Sequence, residues 1–261
     1  MLRMQPTKNL TGVTIQADFD TLYDLVHSIY NLTGTEMEDY NNPYYGVKHR
    51  LLGVCYDLRH TFMGDREVFL EKNNLCDEQQ EWHGGKTPEK NLYYSVNILF
   101  PEMIFLALAV PKMYLFSYEY YGHKYHKDEE TFMGLKKPII PYAQYVRDRA
   151  NLDVLCAAVW EALSEVIGEE EMEKLLFGMQ RSDEAYLHYA THYVDRCNVE
   201  LLKTDVEKRK DKLRNITKRL MKKPEAYKSM ERDLRYWARE YHTSIYELED
   251  PRVEYPEDVE W

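Results

Sequence analysis

The most apolar stretch of this 261-residue chain runs from Ile98 to Tyr121, and it is interrupted. Pro101, Glu102, Pro111 and Lys112 break it, so its longest clean run is Met103 to Val110. A membrane span needs roughly 20 consecutive apolar residues. The spacing therefore predicts a buried core helix, opened by Pro101 where proline is tolerated and kinked or broken near Pro111. A chain built around such a helix must supply other elements to cover it.

The N-terminal half supplies both kinds. Residues 12–16 have strand character, residues 66–71 read as a short strand, and residues 92–100 read as a longer one. Asp18 or Asp20 is placed to cap a helix in which Leu22, Leu25, Val26 and Ile29 share one face, ending near Gly34. A second helix is expected over about 44–63, where Val47, Leu51, Val54, Cys55 and Leu58 recur at helical spacing and Gly64 suits the C-terminal cap. The polar segment 122–141 is the best candidate boundary between a 1–141 α+β region and a 142–261 helical region, although the two can equally form one continuous globular domain. Beyond it the pattern is helical: 142–167 up to Gly168, 169–180, then 182 to about 203, then two helices flanking Pro224. The expected fold class is α+β, predominantly α. A small N-terminal sheet covered by helices is followed by a C-terminal helical bundle.

Charge is unevenly spread. Residues 203–239 hold 14 Lys/Arg against 6 Asp/Glu in a chain of net charge −11, which leaves −19 elsewhere. Val206, Leu213, Ile216 and Leu220 form one apolar stripe, and Tyr227, Met230, Leu234, Trp237 and Tyr241 form another. Together they predict an antiparallel helical hairpin. Its outer face carries Lys210, Arg214, Lys218 and Lys222 at four-residue intervals, a spacing that costs a helix roughly a few tenths of a kcal/mol per like-charged pair. Something must offset them. A polyanion such as nucleic acid is one answer; the chain's own acidic body, or an acidic partner, is the favoured one, because no base-reading motif accompanies the lysines.

Three further constellations are chemically suggestive. Arg59, His60, Asp65, Arg66 and Glu67 crowd a helix-to-strand turn, where a His beside carboxylates can move protons and two Arg can hold a phosphate or carboxylate. An ion-pair network locking the turn explains the same residues. His188, His192 and Asp195 are spaced i, i+4, i+7, so one continuous helix would present them as three metal ligands on one face. No other cofactor is suggested, and a divalent metal is a candidate there rather than the expected state. Arg181 with His188, and Arg235 with His242, fit the R-x4-6-H pattern of the small helical ribonucleases called HEPN domains, a pattern that chance alone supplies in a chain of this composition. There is no P-loop, dinucleotide fingerprint, GxSxG or HExxH, and Gly84-Gly85 after His83 precedes no helix.

Cys55, Cys76, Cys156 and Cys197 form no CxxC pair and read as reduced thiols of a cytoplasmic protein. The 23 Tyr suggest rings that are half-buried or at contact surfaces.

Residues 6–13 (PTKNLTGV), 50–67 (RLLGVCYDLRHTFMGDRE), 94–102 (YSVNILFPE) and the closing YPEDVEW resemble an uncharacterised family of bacterial proteins, a domain of unknown function. The resemblance implies a bacterial, cytoplasmic setting and carries no activity or ligand. The expected function is that of a binding, regulatory or accessory protein acting through protein contacts or self-association, away from membranes. The alternatives are a metal-dependent or HEPN-like hydrolase of RNA or nucleotides, and a nucleic-acid binder using the 203–239 hairpin.

Overall fold

The computed structural model describes residues 2–34, 40, 42–73, 75–82, 88–117, 131–132, 135–136, 141–177 and 183–261. Strands β1 (Arg3–Pro6), β2 (Gly12–Ala17), β3 (Glu67–Lys72) and β4 (Lys90–Leu99) form one sheet in the order β1-β2-β4-β3, with every neighbour antiparallel. The sequence predicts three of these strands. β1 is the fourth, a short polar edge recruited by backbone pairing to β2.

Side chains alternate between the faces of a strand. The register sets Ile15 between Met4 and Val96, so Val13, Ile15, Ala17, Val96 and Ile98 share one buried face. Helices α1 (Phe19–Thr33), α4 (Phe100–Ser117) and α5 (Tyr142–Ile167) cover it. Asp18 caps α1 by accepting from the Thr21 N–H at 2.8 Å. Helix α4 is the apolar centre of the molecule: Phe100 and Met103 through Val110 are all buried. It runs on past Pro111 without breaking, held in packing on several sides. Between α1 and α5 the buried Asp148 carboxylate accepts from Ser28, Asn31 and Gln144 at 2.8–3.0 Å, which fixes the pair in register.

Helix α2 (Tyr45–His60) ends in a π-helical turn, Thr61–Asp65, where Gly64 takes φ 90°. A left-handed backbone of this kind suits glycine. A short α3 (Asp77–Trp82) lies between β3 and β4, and a two-stranded ribbon, β5 (Thr131–Phe132) with β6 (Leu135–Lys136), lies within the segment expected as a boundary. The remaining helices are α6 (Glu169–Phe177), α7 (His192–Leu202), α8 (Val206–Lys222) and α9 (Glu225–Glu240). One cluster of buried residues extends from Met4 to Leu234 and draws on both halves of the chain. The architecture is α+β and mainly helical. Among the described residues no helix is long and apolar enough to cross a membrane.

Two expectations need correction. The helix predicted over 182–203 is interrupted: a 3-10 turn (Asp183–Tyr186) precedes an irregular stretch, and α7 starts only at His192. The backbone N–H groups that a continuous helix would use are engaged elsewhere. That of His188 donates to the Pro43 carbonyl at 2.5 Å, and that of Ala190 donates to the Tyr227 hydroxyl at 3.0 Å. The antiparallel hairpin also does not form as a packed pair. α8 lies on α4, α5 and α7, whereas α9 packs over the tyrosines of the irregular stretch and the 3-10 turn Ile245–Glu247. Each apolar stripe finds a different main partner.

Candidate functional site

A cleft runs along one side of α2. Its two lobes, of about 710 and 1080 Å³, share Arg50, Asp57, Ile98 and Glu102. The first lobe is bounded by Arg66, Glu67 and Ser95 from the sheet end, by Asn198 of α7, and by Tyr255 and Trp261 of the C-terminal tail. The second is bounded by Tyr45, His49, Thr191, His192 and Asp195, and by the tail segment 248–251.

Close approach builds this cleft. Gly46 sits where a Cβ would meet the Thr191 side chain and the Tyr189 carbonyl at 2.8 Å, so α2 lies directly on the start of α7. A Cβ at Gly12 would strike the Ile98 carbonyl and the Trp261 ring, so the last residue of the chain closes the sheet end. The tail is held there by Thr11, whose hydroxyl donates to the Glu260 carbonyl at 3.0 Å.

At the floor Arg50 holds two carboxylates. It donates to Glu102 at 2.9 Å, forms a short ion pair with Asp195, and reaches the Thr191 carbonyl at 3.0 Å. Tyr255 donates to the other Asp195 oxygen at 2.8 Å, and Asn198 donates to the Tyr255 oxygen at 3.1 Å and to Glu102 at 3.4 Å. Burial raises the Glu102 carboxyl above its usual range; Arg50 pulls it back and the neighbouring Asp195 charge pushes it up again. Burial likewise opposes the Arg50 charge, but Glu102 and Asp195 override it and keep the guanidinium protonated. Two carboxylates therefore share one cation in a low-dielectric floor.

Of the turn cluster, the fold brings only part to this cleft. Arg66 pairs with Asp57 at 2.9 Å and lines the first lobe with Glu67. His60 faces Asp65 at 2.7 Å, and Arg59 lies over the Tyr56 ring and donates to the Tyr30 hydroxyl at 3.3 Å, both outside either lobe. The five residues form three separate partnerships and not one catalytic centre.

The metal constellation is likewise dispersed. His188 is exposed in the irregular stretch with φ 50°, four residues before α7 begins, so it does not share a helix face with the other two. His192 Nε2 lies 2.8 Å from the Leu248 carbonyl, and Asp195 serves Arg50 and Tyr255. Among the described residues no three His, Cys, Asp or Glu are grouped to hold a metal ion. Arg181 and the 83–85 segment lie outside the described residues. Arg235 is exposed and pairs with Glu231 at 2.8 Å on α9. The four cysteines are free, and all but Cys76 are buried.

The basic helix α8 is largely served by its own chain. Arg214 lies 3.6 Å from Glu171 of α6, and the Glu171 carboxyl is held low by Lys174, with Arg214 and Lys218 adding to the effect. On the neighbouring face Lys212 and Arg219 both grip Glu200 of α7, at 2.8 and 2.5 Å. Arg209 is buried; it donates to the carbonyls of Thr204, Leu202 and Asn9 at 2.6–3.3 Å, tying the end of α7 to the N-terminal strands. Lys210, Lys218 and Lys222 are exposed.

The sheet also leaves an apolar surface open. Val68 lies opposite Tyr94 and Leu70 opposite Leu92, on the same face as the buried Ala17, yet Val68, Leu70 and Leu92 are 46, 60 and 44% exposed. The rings of Phe19, Tyr23 and Phe62 touch one another beside this surface, and exposed Met63 follows Phe62. β3 is the last strand on that side of the sheet among the described residues. Many of the tyrosines go elsewhere: Tyr186, Tyr189, Tyr193 and Tyr227 form a buried aromatic cluster with Phe105, capped by Lys223 over the Tyr189 and Tyr227 rings.

Sequence reasoning overlooked Arg50, Glu102, Asn198 and Tyr255. A signal for two of them exists: Arg50 falls on the apolar face of α2, three residues from Val47 and four from Val54, and Glu102 interrupts the most apolar helix of the chain. A charge in an apolar pattern demands a buried partner. Three of the four segments that carry the family resemblance, 50–67, 94–102 and 255–261, meet at this cleft. No curated protein and no solved structure matches the chain. Residues 2–261 match one family over nearly their whole length, and the chain belongs to that family, described as a domain of unknown function, DUF6904.

Proposed function

We propose that this protein is a binding or accessory protein that works through protein contacts, and that its contact surface is the open edge and face of β3. The observation that carries this reading is the exposed apolar row Val68, Leu70 and Leu92 on an edge strand, continued by Phe19, Tyr23 and Met63. Proteins that act alone seldom leave contiguous apolar surface in water, and an unpaired strand edge offers a template for another strand.

The occupant that fits is a second copy. In an antiparallel pairing centred on Phe69, Val68 of each copy faces Leu70 of the other. Glu67 then faces Glu71, whose charge Arg3 already neutralises through two contacts of 2.7 and 2.9 Å. Such a two-fold contact is self-complementary, as a closed dimer requires.

Sedimentation velocity of the full chain over a wide concentration range tests this. The wild type dimerises; Leu70→Lys and Val68→Lys shift it to monomer, while Val154→Lys, exposed on α5, leaves the dimer intact. A wild-type chain that stays monomeric throughout, or a dimer indifferent to both β3 changes, overturns the pairing. No observation favours the hydrolase reading. The nucleic-acid reading is weakened by the pairing of Lys212, Arg214 and Arg219 within the chain.

A further inference from the structure

We infer that the groove between α9 and the tail segment 248–252 seats an arginine side chain of a partner protein. This groove shares no residue with the β3 surface. The apolar stripe of α9 is only half covered. Met230 and Leu234 are buried, but Trp237 and Tyr241, which follow them at helical spacing, are 48 and 65% exposed. The two rings stack with centroids 5.6 Å apart, and Tyr236 packs edge-on against Trp237 at 5.1 Å. Trp237 and Tyr241 line a groove of about 330 Å³ whose opposite wall is the tail around Leu248 and Pro251. The negative face of an indole ring attracts a cation.

The charge of the groove complements the same cation. Two arginines line it against three carboxylates, and both arginines lean on one of these. Arg196 forms a short ion pair with Asp250, and the Arg252 backbone N–H donates to the other Asp250 oxygen at 3.1 Å. Burial alone would raise the Asp250 carboxyl, but Arg196 and Arg252 hold it below its usual range. Asp233 on α9 and Glu249 on the opposite wall meet no cation among the described residues. Asp233 stands one helical turn before Trp237, so one guanidinium can lie over the indole and donate to the carboxylate. The chain builds this arrangement twice with its own residues. Arg3 lies 5.2 Å from the Tyr93 ring centre and grips Glu71 at 2.7 and 2.9 Å. Arg149 lies 5.1 Å from the Tyr114 ring centre with Asp153 at 3.7 Å. At the end of α9 the ring and the carboxylate stand together, and no described cation lies over the indole. A lysine would bring the charge without the flat, forked donor. A purely apolar partner would cover Trp237 and bury the two carboxylates unpaired.

Nuclear magnetic resonance of the full chain, isotope-labelled at its tryptophan indoles, tests this. The probes are an acetylated and amidated Ala-Arg-Ala peptide and its lysine and citrulline counterparts, and Trp237→Phe identifies the Trp237 signal. The Trp237 indole N–H signal is expected to move saturably with the arginine peptide while those of Trp82 and Trp160 stay fixed. The uncharged citrulline peptide should bind about tenfold more weakly, and the lysine peptide should also bind more weakly. Asp233→Asn, a conservative change at an exposed position, weakens arginine binding several-fold, and Glu169→Gln on α6 has no effect. A Trp237 signal that the arginine peptide leaves unmoved, equal affinity for arginine and citrulline, a preference for lysine, or unaltered binding in Asp233→Asn overturns the inference.

Discussion

Helix α8 and the cleft beside α2 are both dense in charge, and they close in opposite ways. On α8 the cations exceed the acids in sequence, yet long flexible side chains reach neighbouring helices: Arg214 meets Glu171, and Lys212 and Arg219 meet Glu200. In the cleft the sequence shows no unusual density, yet packing places two carboxylates on one guanidinium and leaves an amide oxygen without a donor. A surface excess can be screened or shared at little cost. A mismatch inside the fold cannot, because water is largely absent and the groups sit on packed helices. Local charge count is thus a poor guide to which groups are left without a full set of partners.

Arg50 carries the largest expected effect. Replacing it by Met strands Glu102 and Asp195 together, and stability measured by urea unfolding should fall by about 3–5 kcal/mol. A loss no larger than a surface substitution would mean that the cleft floor is wet and behaves like α8. Arg209 comes next. It is the one α8 cation that is buried, and Arg209→Ala removes three bonds to backbone carbonyls, with an expected loss of about 2–3 kcal/mol.

Glu200 and Glu102 sharpen the contrast through pH. Burial alone would raise the Glu200 carboxyl, but Lys212 and Arg219 hold it below its usual range. Its contribution is therefore present above the ordinary glutamate value and is lost as pH falls through the lowered one. Glu200→Gln should cost about 1 kcal/mol at neutral pH and nothing in strong acid. Glu102, surrounded by Arg50, Asp195, Asn198 and Tyr255, has the opposite sign. Its raised carboxyl keeps a proton in the folded state that the unfolded chain has lost, so stability declines as pH rises from the ordinary glutamate value through the raised one. Glu102→Gln should flatten that decline, and an unfolding series across pH would expose either sign as wrong. The smallest effect belongs to the outer stripe: Lys210→Ala and Lys222→Ala should each stay within about 0.5 kcal/mol of wild type.

The elements whose pattern depends on nearby residues were readable in advance. Asp18 before Leu22, Leu25, Val26 and Ile29 specifies a capped amphipathic helix, and Gly64 marks the end of another. Where tertiary partners compete for the backbone, the local pattern misleads. The pattern from residue 182 to about 203 reads as one long helix, but the His188 and Ala190 N–H groups donate to Pro43 and Tyr227, and a helix begins only at His192. The metal constellation failed with it, since its geometry presupposed that helix. The hairpin failed for a related reason: two apolar stripes joined by a turn can pack on each other or on the rest of the protein, and periodicity is the same in both cases.

Fold class, the central helix around Met103–Val110 and the basic segment of an acidic chain are all legible in the amino-acid sequence. These follow from spacing and composition, which are properties of neighbouring residues. Three-dimensional packing fixes the rest: Glu200 pairs with Lys212 and Arg219 and Glu171 with Arg214, Val68, Leu70 and Leu92 remain uncovered, and Arg50, Glu102, Asp195, Asn198 and Tyr255 meet. Those outcomes depend on which surfaces approach each other across separations that run from 12 residues, Glu200 to Lys212, to 145, Arg50 to Asp195. A buried charge selects its partner by distance in space, and separation along the sequence carries no trace of that choice.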